Sequence, residues 1–193
     1  MTSTESIPEL LARRPQRADA RRNYEKLITV ARETFATEGV TASLEEIARR
    51  AGVGIGTLYR HFPARQDLLE AVYADDVDAV VRSAEEVADL PPWDALEKWL
   101  QQLVEYLATK KALAQAVNFQ SELFKGGRAS VHDAGEKILR RAQDADVARP
   151  EVSFDDVLRL IHGVTMIDFV EPGQSERIMA MALDGLRSQP PHR

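Results

Sequence analysis

The chain has 193 residues, 44% of them hydrophobic and 29% charged, with a formal net charge of −6; this is the composition of an ordinary globular protein and excludes collagenous, disordered and membrane-embedded classes. It contains no cysteine, which excludes disulfides, thiolate metal sites and a cysteine nucleophile and suits a reducing compartment. No apolar stretch reaches the length of a bilayer span, and residues 1–15 lack the apolar centre of a secretion signal, so the expected location is cytoplasmic.

The charge is unevenly spread. Residues 1–65 hold 11 Lys and Arg against 8 Asp and Glu, whereas residues 66–193 hold 14 against 23. The overall acidity argues against binding phosphates, but the local excess of base in the first third argues for it, and the two parts are expected to face different partners.

Residues 1–16 mix Ser, Thr, Pro and charge without periodicity and lead into Arg13, Arg14 and Arg17; they read as a flexible basic arm. A helix follows from Asp19, with Tyr24, Leu27, Ile28, Ala31 and Phe35 on one stripe and Gly39 as its stop. Ser43 is placed as the N-cap of a second, two-turn helix, with Glu46 completing a capping box and Leu44, Ile47, Ala48 and Ala51 as its apolar face. A short third helix is expected from Ile55 to about His61, and a long fourth from about Ala64 towards Ala88. After Pro91 and Pro92, Leu96, Trp99, Leu100, Leu103, Val104 and Leu107 mark a fifth. Further helices are expected at about 111–124, ending at Gly126 and Gly127, and at about 130–145. Ser153 and Ser175 read as N-caps of the last two. No alternating strand pattern is present, so the fold class is all-α with about nine helices.

The three short helices around a glycine-bearing turn, Ala51 to Gly54, outline a helix-turn-helix over residues 17–65. Val53, Leu58 and Phe62 are spaced to anchor the third helix by one side. Its other side carries Thr57, Tyr59, Arg60 and His61, while Gly54 and Gly56 keep the backbone slim around Ile55 where the helix opens. Hydroxyls, a phenol, a guanidinium and free amides at a helix start are the groups that bind phosphate oxygens and read base edges.

The run Val53 to Phe62, VGIGTLYRHF, followed by Pro63, Ala64, Arg65, Gln66, Asp67, Leu68 and Leu69, resembles the signature of the TetR family of one-component transcriptional regulators. The resemblance extends upstream through Phe35, Gly39, Ser43, Ile47, Ala48 and Ala51, covering about residues 18–73. It implies that Ser43 bonds a phosphate, that Thr57, Tyr59 and His61 contact backbone and bases, and that Arg65 takes the place of the family's usual lysine. Ala64 stands where the family frequently has serine. The arm is expected to add contacts through Arg17 and Arg21.

One short recognition helix reads too few base pairs for tight regulation, so a two-fold dimer on palindromic half-sites of double-stranded DNA is the expected solution. The last two helices are apolar beyond one stripe, and Leu158, Ile161, Met179, Leu183 and Leu186 are candidates for the interface of a homodimer. The resemblance implies a four-helix bundle at that interface, and a cavity in the remaining helices for a small-molecule effector that releases DNA. Trp99, Leu103, Tyr106, Phe119, Phe124, His132, His162 and Met166 are candidate lining residues. Residues 66–193 are accordingly read as a regulatory, ligand-binding and dimerisation domain. No catalytic residue, metal or cofactor is expected: no histidine has a glutamate three residues before it, and His132 with Glu136 reads as a solvated helix face. The rival readings are a helical adaptor that has lost DNA binding and, behind it, a helical-bundle enzyme.

Overall fold

A computed structural model describes residues 6–113, 121–167 and 171–188. Among them lie nine helices and no strand; an isolated antiparallel bridge joins Ala148 and Arg187. The described residues belong to two compact units, one drawn from Met1–Asp78 and Thr109–Arg128, the other from Ala79–Ala108 and Ala129–Arg193.

The first unit begins with a helix where a flexible arm was expected. α1 (Ile7–Ala12) starts at Ser6, whose amide and hydroxyl both donate to the Glu9 carboxylate (2.7 and 2.9 Å). Ile7 and Leu10 are buried. Its two turns are too short to register as periodicity, and burial of these two side chains supplies what propensity alone does not. α2 (Ala18–Glu38), α3 (Leu44–Arg50) and α4 (Ile55–His61) follow, then α5 (Arg65–Glu86), which belongs to this unit through Asp78. Leu27, Ala31 and Phe35 of α2, Ile47 of α3, Leu58 of α4 and Leu68, Leu69 and Val72 of α5 form its core, each at most 2% exposed. The first turns of α5 thus share the core of the head, which is why the unit runs past residue 65.

The α5 start lacks a capping hydroxyl at Ala64, and the Asp67 carboxylate instead accepts from the Ala64 amide (2.7 Å). Only one half of a capping box is formed, from the helix side. In α3 the other half is formed: Ser43 Oγ accepts from the Glu46 amide (3.3 Å), but the Glu46 carboxylate turns to Arg49 and Arg50. Two arginines compete successfully for the carboxylate that the sequence reading assigns to the cap.

α6 (Pro92–Leu113) and α7 (Glu122–Asp144) each contribute to both units. Residues 114–120 of the helix expected at about 111–124 lie outside the described residues; α7 starts at Glu122 and runs straight through Gly126 and Gly127 into the helix expected at about 130–145. In the first unit Tyr73 of α5 stacks on Phe124 (centroids 4.0 Å), and its hydroxyl occupies the space beside Gly127, where a Cβ would lie 2.4 Å from the oxygen. The glycine marks a close approach between helices, not the end of one.

In the second unit Trp99 of α6 is sealed from solvent and donates its indole N–H to the Val80 carbonyl (2.9 Å). Phe154 packs on it at 5.7 Å. α8 (Phe154–Thr165) opens on the expected Ser153, whose hydroxyl and amide bond the Asp156 carboxylate. α9 (Gln174–Asp184) packs on α8 and is capped by Gly173, not by Ser175, which lies in its first turn and donates to Glu176.

Candidate nucleic-acid interface

α3 and α4 are joined by a turn in which Gly52 takes φ +68°, and the amides of Gly52 and Val53 return to Arg49 and Ala48 (3.1 and 3.0 Å). A side chain at Gly52 would be strained there, so glycine sets the sharpness of the reversal. α4 is seven residues long and divides cleanly into faces. Leu58 is fully buried and Phe62 nearly so, with the Phe62 ring 5.2 Å from Tyr24 of α2. Tyr59 is 44% exposed and Ile55 37% exposed, and Gly54, Gly56 and Arg60 face solvent. Among the described residues, neither the Tyr59 hydroxyl nor the Arg60 guanidinium has a hydrogen-bond partner within the chain.

Thr57 and His61 lie at the edge between those faces, half-buried. The His61 ring meets Tyr24 edge-on (6.0 Å, 81°). Partial burial, and then the charge of Arg60, hold its pKa below the ordinary imidazole value. At the open start of α4 the Thr57 amide bonds back to the Gly54 carbonyl (2.8 Å), leaving the amides of Ile55 and Gly56 to point outward in the way that helix starts receive anions.

The flanking basic residues are differently committed. Arg65 Nη1 donates to the carbonyls of Val40 and Ala42 (3.0 and 2.6 Å), fastening the α2–α3 loop to the start of α5, and among the described residues its remaining N–H groups make no further hydrogen bond. Ser43 Oγ donates to Glu45 (2.8 Å), so a phosphate at this hydroxyl has a carboxylate to displace. Arg49 and then Arg50 bond Glu46 and hold its carboxyl down at about 2. Arg17 is exposed at the start of α2, and Arg21 pairs with Glu25 (3.5 Å) on its open face.

The structure also shows an ion cluster that the sequence pattern does not announce. Arg14 reaches Asp75 and Asp78 (2.6 and 3.2 Å), and Arg32 reaches Asp75 and Asp76 (2.7 and 2.6 Å). These join the end of α1 and the middle of α2 to α5. Adjacent aspartates in a long helix carry no signal of their own; the partners are 43 to 64 residues away.

The expected pocket residues are placed as follows within each unit. Trp99, Leu103 and Tyr106 are core of the second unit, and Phe124 is core of the first. His132 lies edge-on to Phe154 (5.4 Å) and 3.7 Å from Asp155, His162 is exposed, Met166 is 36% exposed beyond α8, and Phe119 lies outside the described residues. Of the dimer candidates, Ile161, Leu183 and Leu186 are buried within the chain, while Leu158 and Met179 are half-buried. Among the described residues, the large apolar side chains left exposed on α8, on α9 and just after α8 are Leu160, Met166, Ile167 and Met181. Among the described residues no three metal-ligating side chains gather, and no helix is long and apolar enough to cross a membrane.

Residues 27–72 match the family model of bacterial regulatory proteins of the tetR family, and residues 91–188 match that of the SbtR-like transcriptional regulator C-terminal domain. The chain belongs to the TetR family. A TetR transcriptional regulator from Streptomyces coelicolor is 32% identical, with a TM-score of 0.74 over 86% of this chain and 99% of that one. A TetR transcription regulatory protein from Mycobacterium vanbaalenii is 36% identical, with a TM-score of 0.70 over 90% of this chain and 99% of that one. An HTH-type transcriptional regulator of Staphylococcus aureus is 32% identical over 104 residues, 52% of this chain. The chain spans about half, 56%, of the length of that curated relative. The TetR head of this chain is therefore α2 to α4 with the start of α5, and α1 precedes it.

Proposed function

We propose that this TetR-family protein is a cytoplasmic transcriptional repressor that binds a palindromic operator as a homodimer and leaves it when a small molecule binds. Residues 17–65 are the DNA-binding part and 66–193 the regulatory and dimerising part. The observation that carries the reading is the division of α4: Leu58 is sealed in the core while Tyr59, Arg60 and the helix start lie open, with donors that are unspent among the described residues. A seven-residue helix held by one buried side chain and two flanking rings presents a narrow ridge of polar groups, which is the shape a major groove admits. Ile55, Gly56, Thr57 and Tyr59 would meet the groove floor, and Arg60, His61, Ser43 and the remaining N–H groups of Arg65 the phosphates, with Arg17 and Arg21 on the flank.

Dimerisation through α8 and α9 is supported by the apolar side chains that those helices expose, and it supplies the second recognition helix that a palindrome requires. The test is selection of bound duplexes from random DNA by the full chain. An inverted repeat with half-sites about one helical turn apart, bound with steeply falling affinity as salt rises, is the expected result. Enrichment of nothing, or of asymmetric single sites, would overturn the reading.

A further inference from the structure

Helices α6, α8 and α9 leave between them an open groove of about 530 Å³ in the second unit. Its apolar surface comes from Leu100 and Val104 of α6, Val164 and Ile167 at the end of α8, and Met179 and Leu183 of α9. One wall carries Glu97, Gln101 and Glu105 at successive turns of α6, and Glu176 stands on α9. Among the described residues, three glutamates and no lysine, arginine or histidine line it.

Glu97 is half-buried and, among the described residues, makes neither a hydrogen bond nor an ion pair. A carboxylate held partly out of water beside an apolar wall gains more from a cation than an exposed one does, because both desolvation and field strength favour neutralisation there. At Glu176 its own backbone amide and the Ser175 hydroxyl hold the carboxyl below the usual range.

The volume falls among those of small-molecule sites, roughly 300–1,000 Å³. A second subunit has a different surface available. Met181, 72% exposed, is two residues from both Met179 and Leu183, hence about 160° around α9 from the groove. One face of α9 closes the groove and the opposite face remains open to a partner.

We propose that the groove binds a small amphipathic organic cation, an ammonium or phosphonium centre on an apolar body, with Glu97 as its counter-ion. This assignment rests on the reading of the chain as a ligand-responsive repressor and names the class of effector. Among the described residues, an anion of the same size would meet three carboxylates and no base, and a neutral ligand would leave Glu97 partly desolvated and uncompensated.

The test is calorimetric titration of the full-length, DNA-free protein with tetraphenylphosphonium and with tetraphenylborate, ions of nearly equal shape and opposite charge. The phosphonium is expected to bind at least about tenfold more tightly than the borate, and Glu97→Gln to weaken it about five- to tenfold without weakening the borate. Thermal unfolding of Glu97→Gln verifies that the variant is folded. Equal binding of the two ions, preference for the borate, binding of neither, or indifference to Glu97→Gln would overturn the assignment. Operator binding is measured separately: DNA bound with neither ion bound defeats the groove alone, whereas phosphonium bound with no duplex recognised defeats the repressor reading alone.

Discussion

Arg32 Nε lies 2.6 Å from Asp76 Oδ1, with the Asp76 side chain only 8% exposed and the other arm of Arg32 on Asp75. The pair ties α2, the central helix of the head, to α5. Loss of one member of a pair this enclosed removes part of what compensates the other's charge. Arg32→Met is expected to lower stability by about 2 kcal/mol, less than for a fully buried pair because Arg32 itself is partly exposed. Urea unfolding at neutral pH measures it; an unchanged midpoint would show that the cluster contributes little beyond geometry.

Gly127 and Tyr73 make a second contact that a single methyl group should disturb. In a solvent-exposed helix, glycine to alanine stabilises by about 1 kcal/mol. Here the added Cβ would lie 2.4 Å from the Tyr73 hydroxyl, on a ring with no exposed surface. Gly127→Ala is therefore expected to destabilise, by about 1–3 kcal/mol. Adding Tyr73→Phe removes the clashing oxygen and should restore part of the loss. Chemical denaturation of the two single variants and the double variant gives the coupling directly, and strict additivity would contradict the contact.

His61 has a depressed pKa, so the folded chain takes up its proton less readily than the unfolded chain does. The stability that neutral His61 confers is complete above the ordinary value near 6.5 and is lost as pH falls through it towards the lower folded value. The stability difference between the native protein and His61→Gln should thus move against the native protein from pH 7 to pH 5. Phosphates favour the imidazolium, so operator affinity should rise over the same interval, by about threefold per protonated site, and stay flat in His61→Gln. Fluorescence anisotropy with a labelled duplex, at constant ionic strength, reads the second effect; a parallel rise in both proteins would assign it elsewhere.

Arg60 is exposed and, among the described residues, has no hydrogen bond or ion pair to lose, so its removal should spare the fold. Arg60→Ala is expected to leave the melting temperature unchanged, weaken operator binding, and reduce the slope of log affinity against log salt by about 2 for a dimer. An unchanged slope would remove Arg60 from the phosphate contacts.

Met181→Lys places a charge on the open face of α9, where Met181 is 72% exposed. The monomer should tolerate it, and sedimentation should show dissociation at concentrations at which the native chain is dimeric. A native chain that sediments as a monomer, or a variant dimer as stable as the native one, would remove this face from the interface.

The sequence by itself determined the helix-turn-helix and its spacing, because that information is local. Gly52, the Ser43 cap, and the alternation of Leu58 with Tyr59 and Arg60 each act within a few residues, and periodicity reports which side of a short helix is buried. It also determined the all-α class and the capping of α8 by Ser153. It could not show that α1 docks, that α7 passes through Gly126 and Gly127, or that Arg14 and Arg32 converge on α5. Each depends on a partner tens of residues distant. Glu97, Gln101 and Glu105 become the wall of a groove only once α8 and α9 are placed beside them, and only the fold sets the Trp99 indole on the Val80 carbonyl and against Phe154. Tertiary packing decided which apolar residues became core and which stayed open, since burial is a property of the space between helices and hydrophobicity is a property of the residue.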